Sequence, residues 1–326
     1  MRFELSAGLV CIGMAAASIA QLRAGATVMP DDTSTNKPLQ FAIDAAPANA
    51  TEAFVIDIAP GTYRGHLVVP ANKPFITFRG TDAAKTIITD DKNVFAVDAK
   101  GRKLSTPDST TVVLQGHDFT AENITFENTA GNHGQALAVY ITGDRSMFRN
   151  CRFLGWQDTL RPQKGRSFFD HCQITGHVDF IYGDGTSFFD HCSIHVLADG
   201  YITAASTPET APFGFVFRSC IITAERGVKR TFLGRPWRPN ARVAFLNCEL
   251  PGEIAPAGWD NWGNAENEKT ARFAEYKNTG PGANTSDRVP WSRQLTDDEA
   301  NSYTLEHVLS GADHWNPAMP VTRDAK

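Results

Sequence analysis

A short pattern, Phe-x-x-Cys-x-(Phe/Ile/Leu), occurs five times in this 326-residue chain and constrains its fold more than any other feature. Side chains alternate along a strand, so each Cys and the apolar residue two places later face the same side. The steps from one Cys to the next are 20 to 28 residues, and no long helical pattern lies between the repeats. This spacing predicts an all-β fold, the right-handed parallel β-helix, whose coils stack as a solenoid. The five repeats contain Cys151, Cys172, Cys192, Cys220 and Cys248.

The repeated cysteines are predicted to stack inside the solenoid, because each occupies the same position of its coil. Neighbouring strands lie about 4.8 Å apart, which permits a disulfide between adjacent coils but does not demand one. The odd number of cysteines in the predicted domain implies at least one free thiol. The disulfide state of the five therefore stays open.

A zinc site is the alternative interpretation of two of these repeats. Asp170-His171-Cys172 and Asp190-His191-Cys192 lie one coil apart and could together offer four nitrogen and sulfur ligands. Adjacent residues of a strand point to opposite faces, so each His would face away from its Cys. We therefore do not predict a zinc site at these repeats.

Short helices are predicted to cap both ends of the solenoid, since its terminal coils would otherwise expose their interior. A Ser-Thr pair followed by Pro38 and an apolar face within residues 34–43 predicts the first helix. Thr296 and Glu299 form a capping-box pattern, which predicts a second helix that Gly311 ends.

The N-terminus has the features of a secretory signal peptide. Residues 7–20 are apolar and small, and the run is shorter than the roughly 20 residues that span a bilayer. Cleavage is predicted after Ala20 or Ala26, which divides the chain into a signal peptide, 1–26, and a single β-helix domain, 27–326. No other stretch is apolar enough to span a membrane, so a secreted protein, extracellular or periplasmic, is expected.

Charge and motifs exclude several classes of protein. The net charge is −5, from 31 basic and 36 acidic residues, and no long block of like charge suggests a nucleic-acid or membrane-surface partner. The chain contains no G-x-S-x-G, P-loop or H-E-x-x-H motif. Serine-hydrolase, nucleotide-binding and zinc-protease mechanisms of those types are therefore not expected, and nothing indicates more than a monomer.

Two acidic residues recur at coil spacing. Asp158 and Asp179 are 21 residues apart, and Gln135 and Gln157 are 22 apart, so each pair is predicted to lie on neighbouring coils. Two nearby carboxyl groups cannot both ionise freely, which separates a nucleophile or base from an acid. Arg235 could hold one carboxylate ionised, and the side-chain amides of the two glutamines could donate hydrogen bonds to an oxyanion.

Aromatic residues accompany these polar groups and are predicted to line a cleft that suits sugar rings. They are Trp156, Phe180, Tyr182 and Trp237.

At this point the chain resembles the pectin methylesterases, the pectinesterases of the right-handed β-helix class. The resemblance covers most of residues 35–315. The motifs that carry it, in family order, are Gln135-Ala-Leu-Ala-Val, Gly143-Asp-Arg-Ser, Gly155-Trp-Gln-Asp-Thr-Leu, Asp179-Phe-Ile-Tyr-Gly, Leu233-Gly-Arg-Pro-Trp and Glu275-Tyr with Gly280-Pro-Gly-Ala.

The resemblance implies hydrolysis of the methyl esters of galacturonate units in pectin, with release of methanol and without a metal or organic cofactor. It implies that Asp179 is the nucleophile and that Asp158 is the general acid and then the base. Gln135 and Gln157 would stabilise the oxyanion, and Arg235 would orient Asp179. Among the four aromatic residues, Trp237 would form part of the substrate wall.

The chain departs from the family pattern at three positions. Gly65 stands where the family has Glu, Ala205 stands where it has Gln, and Tyr182 replaces a Phe. None of these is one of the five expected catalytic residues. The first two leave open whether pectin is the preferred ester.

Other functions are compatible with parts of this pattern. Paired carboxylates about 5 Å apart also suit a retaining glycoside hydrolase, although amide donors favour acyl chemistry. A calcium-dependent pectate lyase would need more acidic ligands than Asp90-Asp91 offers. An esterase for a different ester and a non-catalytic carbohydrate-binding solenoid complete the alternatives.

Overall fold

Each Phe-x-x-Cys repeat forms a corner between two strands. The residue before each Cys has a positive φ of 50 to 54°, which turns the chain sharply after the Phe strand. Residues other than glycine rarely adopt this left-handed conformation, and short polar residues such as Asn adopt it more readily than others. The five corner residues are Asn150, His171, His191, Ser219 and Asn247.

The computed structural model describes residues 25–31 and 34–318. The strands of the first half are β1 (Gly25–Val28), β2 (Phe54–Ile58), β3 (Gly61–Arg64), β4 (Leu67–Val69), β5 (Ile76–Arg79), β6 (Thr86–Asp90), β7 (Val112–Leu114), β8 (Thr120–Glu122), β9 (Thr125–Asn128), β10 (Val139–Ile141), β11 (Ser146–Arg149) and β12 (Arg152–Leu154). Those of the second half are β13 (Leu160–Pro162), β14 (Arg166–Asp170), β15 (Gln173–Gly183), β16 (Thr186–Asp190), β17 (Ser193–Ala205), β18 (Phe215–Arg218), β19 (Ile221–Ala224), β20 (Thr231–Gly234), β21 (Arg242–Leu246), β22 (Arg272–Tyr276) and β23 (Arg293–Gln294). The helices are α1 (Lys37–Ala45), α2 (Asp297–Ala300) and α3 (Leu305–Leu309), with 3₁₀ turns at Pro107–Ser109, Ala265–Lys269 and Pro281–Ala283.

These strands stack as a right-handed parallel β-helix, which confirms the predicted fold class. Sheet 1 runs β1-β2-β5-β8-β11-β14-β16-β18-β21-β22-β23. Sheet 2 contains β3, β6, β9, β12 and β19, and sheet 3 contains β4, β7, β10, β13 and β20. The long strands β15 and β17 belong to both, so sheets 2 and 3 are continuous in the middle of the solenoid.

The interior is filled by stacked equivalent side chains. The repeat phenylalanines form a column in which neighbouring rings lie 4.4 to 4.9 Å apart and nearly parallel. The five cysteines form a second buried column, and all five are free thiols. Their thiol groups contact carbonyl oxygens, as Cys192 does with Phe169 at 3.3 Å. The predicted interior stack is confirmed.

His171 and His191 lie outside this column, with rings stacked 5.2 Å apart on the outer surface. Their side chains are exposed, while the cysteines that follow them are buried. The two residue types thus face opposite sides, which was the reason for not predicting zinc.

Helix α1 covers the first coil, with Leu39, Ala42 and Ile43 buried against it. The helix begins after Asn36 rather than after the Ser-Thr pair. Asn36 does not cap the helix with its side chain, because its amide donates to the carbonyl oxygens of Gly65 and His66, both at 2.7 Å.

The C-terminal segment differs from the prediction of a single helix ended by Gly311. Thr296 and Glu299 do form the capping box, but α2 ends at Ala300 and a second cap at Thr304 opens α3. The chain turns between them because Val308 and Leu309 of α3 pack against the outer face of sheet 1. These helices therefore cover the flank of the solenoid.

The predicted signal peptide lies almost entirely outside the described residues. Gly25 and Ala26, at its predicted end, belong to β1 and pair with Val55 and Ile56. The division into 1–26 and 27–326 stays a prediction. Within the described ranges, no helix has the length and apolar character needed to cross a bilayer.

Candidate active site at the corner between sheets 2 and 3

Asp158 and Asp179 occupy equivalent corners on successive coils. Asp158 lies in the loop before β13, and Asp179 lies at the irregular part of β15 where sheet 2 passes into sheet 3. The Asp158 amide donates to the carbonyl of Val178 at 3.2 Å, and Leu160 pairs with Ile181. Both acids have a positive φ, 67° and 51°. The predicted juxtaposition across coils is therefore present.

Arg235 holds the Asp179 carboxylate with two hydrogen bonds. Its Nε and Nη2 donate to the two carboxylate oxygens at 2.9 and 2.7 Å. The guanidinium lies between the rings of Tyr201 and Trp262, at 3.8 Å from each centroid. Gly234, just before Arg235, brings this strand close to β17, where a Cβ would lie 2.0 Å from the Thr203 hydroxyl.

Asp158 carries the more perturbed carboxyl group. Burial raises its pKa from 3.8 to about 7, and the negative charge of Asp179 adds to the rise. A hydrogen bond from Tyr182 and the positive charges of Arg161 and Arg235 act in the opposite direction. A carboxyl group with this pKa is suited to donate and accept a proton near neutral pH.

Asp179 is also buried, and only 6% of its surface is exposed. Burial raises its pKa, while the hydrogen bonds and charge of Arg235 act against that rise. Asp260 raises the pKa further, and His177 lowers it. Because the guanidinium bonds Asp179 directly, the shared proton of the pair belongs on Asp158.

The two glutamines lie on neighbouring coils beside the acids. The amide of Ala136 donates to the Gln157 carbonyl at 3.1 Å, and the amide of Val94 donates to the Gln135 carbonyl at 3.0 Å. These backbone bonds fix both residues. Among the residues that the structure describes, neither side-chain amide has a hydrogen-bond partner, so both are available to a ligand.

Three of the four predicted cleft aromatics lie on the outside of the solenoid. Trp156 is half-buried, and its ring packs edge-on to His177 at 5.5 Å. Tyr182 and Trp237 contact each other at 5.7 Å, but Tyr182 is only 6% exposed, so the prediction that it lines the cleft is wrong and Trp237 covers it. Phe180 is the exception, since it is fully buried in the interior core and cannot line a cleft. It follows Asp179 directly, and the change of side along the strand turns its ring inward.

Several residues of the site were missed by the sequence analysis. Tyr201 follows Asp179 by about one coil, so coil spacing could have found it. His177 lies beside Asp179, is 7% exposed, and has its pKa lowered by burial. Arg161 is 21 residues from both Tyr140 and Tyr182, so coil spacing could have found it as well. Trp262 carried no signal, because it lies in a long loop.

The departures from the family pattern lie in different places. Gly65 follows β3 near α1, where its carbonyl accepts a hydrogen bond from Asn36. Ala205 ends β17 and is buried, and its carbonyl accepts from the Trp237 amide at 2.9 Å. Ala205 therefore adjoins the site, whereas Gly65 contacts the N-terminal cap.

Within residues 25–31 and 34–318, no group of three or more His, Cys, Asp or Glu side chains is arranged to hold a metal ion. The predicted absence of a metal and of a cofactor stays a prediction.

Comparisons with known proteins identify the family. The pectinesterase family model matches residues 25–312. Pectinesterase 31 of Arabidopsis thaliana is 43% identical over 282 residues, which cover 85% of this chain and 89% of the relative. The solved pectin methylesterase from carrot matches with a TM-score of 0.80 and 34% identity over 88% of this chain and 93% of its own. A pectin methylesterase in complex with hexasaccharide VII matches with a TM-score of 0.77 and 30% identity, over 92% and 100% of the two chains. On this evidence, the chain belongs to the pectinesterase family.

Proposed function

We propose that this pectinesterase hydrolyses the methyl esters of galacturonate units in pectin through a covalent intermediate on Asp179. The observation that carries the proposal is the asymmetry of the acid pair: Arg235 bonds both oxygens of Asp179, while the pKa of Asp158 is raised to about 7. One carboxyl group is thus prepared as an anion and the other as an acid.

In the first half of the reaction, a carboxylate oxygen of Asp179 attacks the ester carbonyl carbon. The side-chain amides of Gln135 and Gln157 donate to the oxyanion that forms. As the tetrahedral intermediate collapses, the bond from carbon to methoxy oxygen breaks, and Asp158 gives that oxygen its proton. Methanol leaves, and the acyl group remains on Asp179 as an anhydride.

In the second half, Asp158 is ionised and accepts a proton from water, which attacks the acyl carbon. The bond to Asp179 breaks, the galacturonate carboxylic acid is released, and Asp179 returns to the carboxylate form. Arg235 supports that leaving group through the same two hydrogen bonds. Trp156 and Trp237 supply apolar surface for the sugar rings, and the buried Tyr182 packs against Trp237.

Relatives support the substrate, because two of the matched pectin methylesterase structures contain hexasaccharides. A glycoside hydrolase on the same polymer would also use two carboxyl groups, but the free amides of Gln135 and Gln157 favour an oxyanion. A pectate lyase and an esterase for a different ester remain outcomes of the test.

We further propose that the protein is exported and acts as a monomer outside the cytoplasm. The apolar run at residues 7–20 supports export. Cleavage after Ala20 would preserve β1, whereas cleavage after Ala26 would remove Gly25 and Ala26 from their pairing with β2. Mass spectrometry of the exported protein distinguishes the two sites.

The central test uses highly methylated pectin and measures methanol, new reducing ends and unsaturated uronate. Methanol alone is expected; reducing ends would indicate a glycosidase, unsaturated ends a lyase, and no product a binding module. Asp179→Asn and Asp158→Asn should each lower kcat by at least about 100-fold with unchanged far-UV circular dichroism. Near-normal turnover of either variant would refute its assigned role.

A further inference from the structure

The column of stacked phenylalanines ends at a buried ion pair. Glu275 on β22 pairs in register with Phe245, the last ring of the column, and only 1% of its surface is exposed. Arg288 donates to both carboxylate oxygens of Glu275, from Nε at 2.7 Å and from Nη2 at 3.1 Å. A buried carboxylate requires such a partner, because burial removes its hydration. The ion pair therefore lies near the C-terminal end of the solenoid interior.

Arg288 uses all five of its N–H donors. Two of them bind Glu275. Nη1 donates to the carbonyl oxygens of Ala255 at 3.4 Å and Pro256 at 3.0 Å, and the remaining N–H of Nη2 donates to that of Gly282 at 2.7 Å. Only 4% of the Arg288 side chain is exposed. Glu275 and Gly282 belong to two motifs of the family pattern, and one arginine thus joins both to the loop that contains Ala255.

Gly258 brings the same loop into contact with the Arg288 side chain. Its φ is 72°, and a Cβ at this position would lie 2.4 Å from Cδ of Arg288. The residue after Arg288, Val289, donates its amide to the carbonyl of Ala257 at 3.0 Å. Arg288 and Val289 therefore fix the first half of the segment 255–262.

The segment 255–262 lies beside β20, whose last residue directly precedes the active-site arginine. The Leu233 amide donates to the carbonyl of Gly258 at 2.8 Å, and the Asp260 amide donates to the carbonyl of Gly234 at 3.1 Å. These bonds connect the segment to the end of β20. A displacement of the segment would therefore reach the residue that follows Gly234.

At its far end, the same segment supplies one of the two rings that enclose Arg235. The rings of Trp262 and Tyr201 each lie 3.8 Å from the guanidinium carbon. Tyr201 belongs to the long strand β17, whereas Trp262 lies in a loop, has a φ of 62° and donates its amide to Oδ1 of Asp260 at 2.7 Å. The position of Trp262 therefore depends on the segment that Arg288 fixes.

We propose that Glu275 and Arg288 are positioning residues for the reaction. By fixing the segment 255–262, their ion pair keeps the ring of Trp262 against the guanidinium of Arg235. A guanidinium forms paired hydrogen bonds to a carboxylate only in its own plane, so this ring contact preserves both bonds to the nucleophile. The inference rests on the proposed function, which gives Arg235 its role. Without the ion pair, the segment shifts, the guanidinium turns, and the nucleophile ionises less readily.

The test replaces the ion pair by an apolar pair, in the double variant Glu275→Leu/Arg288→Met. Buried ion pairs can often be replaced in this way without loss of stability, so the variant should unfold at about the same urea concentration as the parent. The acid limb of the kcat/KM profile, which reports ionisation of Asp179, should move upward by about one pH unit, and kcat/KM below that limb should fall about tenfold. A profile like that of the parent in the folded double variant would overturn the proposal.

Gly258→Ala is a second variant, which decides the question if the double variant does not fold. Its Cβ would displace the Arg288 side chain from the segment 255–262, while both members of the ion pair remain. The same upward shift of the acid limb is expected. If only this variant folds, an acid limb in its original place would overturn the proposal.

Arg166→Met is the matched control, because Arg166 is another arginine that binds backbone carbonyls with little exposure. Its side chain is 15% exposed, and Nη1 donates to the carbonyls of Leu309 and Ser310 at 3.1 and 3.0 Å, where it joins α3 to sheet 1. The change should lower the urea concentration of unfolding and leave the acid limb in place. An equal shift in this control would assign the shift to general destabilisation and would overturn the positioning role.

Fluorine NMR of protein labelled with fluorotryptophan separates this inference from the proposed function, because it needs no turnover. The resonance of Trp262 is identified by its loss in Trp262→Phe. It should shift in the double variant and keep its position in Arg166→Met. If the resonance shifts but the parent releases no methanol, the ion pair still fixes Trp262 and the esterase assignment fails. If the parent releases methanol and neither the resonance nor the acid limb changes, the positioning role fails alone.

Discussion

Replacing Arg235 by Met would remove the partner of the buried nucleophile while keeping a side chain of similar length between Tyr201 and Trp262. The two hydrogen bonds to Asp179 are 2.9 and 2.7 Å long, and only 9% of the Asp179 side chain is exposed. Charge-assisted hydrogen bonds of this kind contribute about 1.5 kcal/mol or more each. Together they amount to about 3 kcal/mol, which corresponds to a rise of about two in the pKa of Asp179.

The pH profile of kcat/KM should change in a specific way. The acid limb, which reports ionisation of Asp179, should move upward by about two pH units. The alkaline limb reports protonated Asp158, whose pKa is about 7, and loss of the Arg235 charge raises this pKa as well. Because Arg235 bonds Asp179 directly, the acid limb should move further than the alkaline limb, and the two limbs should approach each other. At a pH well below the acid limb of the parent, activity should fall about 100-fold. Raising the pH should not restore it fully, because Asp158 then loses its proton.

Methanol release measured from pH 4 to 9 is the assay, and Arg218→Met is its control. Arg218 forms the same two-bonded pair with Asp190, at 2.9 and 2.7 Å, on the outer face of sheet 1. The control should keep both limbs of the profile. If Arg235→Met kept its acid limb within about 0.3 pH unit of the parent, Arg235 would not set the ionisation of Asp179.

Two further predictions concern Asp158. The pKa of Asp158 rises from 3.8 to about 7 on folding, so its ionisation destabilises the fold increasingly between those pH values and has no effect below them. Asp158→Asn should therefore raise the free energy of unfolding, measured in urea, by about 2–4 kcal/mol at pH 8 and not at pH 3.5. Equal effects at both pH values would contradict this. Tyr182 lowers the pKa of Asp158 through a hydrogen bond, so Tyr182→Phe should move the alkaline limb of kcat/KM upward by about half to one pH unit. The control Tyr140→Phe should leave that limb in place. A downward shift in Tyr182→Phe would show that the Tyr182 hydroxyl does not favour the ionised form of Asp158.

The sequence predicted the site through spacing, and spacing is a property that the solenoid preserves. Asp158 and Asp179 are 21 residues apart, and the strands that follow them pair with that offset, as Leu160 and Ile181 show. The interior was predictable for the same reason, since each Phe and each Cys of the repeat stacks on its counterpart. Register is enough to bring such residues together.

Other features depend on contacts that spacing does not encode. Phe180 was placed in the cleft because it adjoins Asp179, but the strand turns its ring into the core. Trp262 reaches Arg235 from a loop outside the coils, and no period in the sequence links the two residues. The C-terminal helix was broken by a second cap at Thr304, since α3 packs onto sheet 1 only after the chain turns.

The corner geometry explains how a structural repeat can carry catalysis. At five corners between sheets 1 and 2, a single residue with positive φ turns the chain, and polar Asn, His or Ser residues occupy it. The same backbone conformation recurs at Asp158 and Asp179, on the corner between sheets 2 and 3. A left-handed residue costs roughly 1–2 kcal/mol, which the stacked strands on either side can offset. An acid at such a corner projects outward while its neighbours stay buried, so each coil can present one carboxyl group, and the next coil can present another within reach of the same ester.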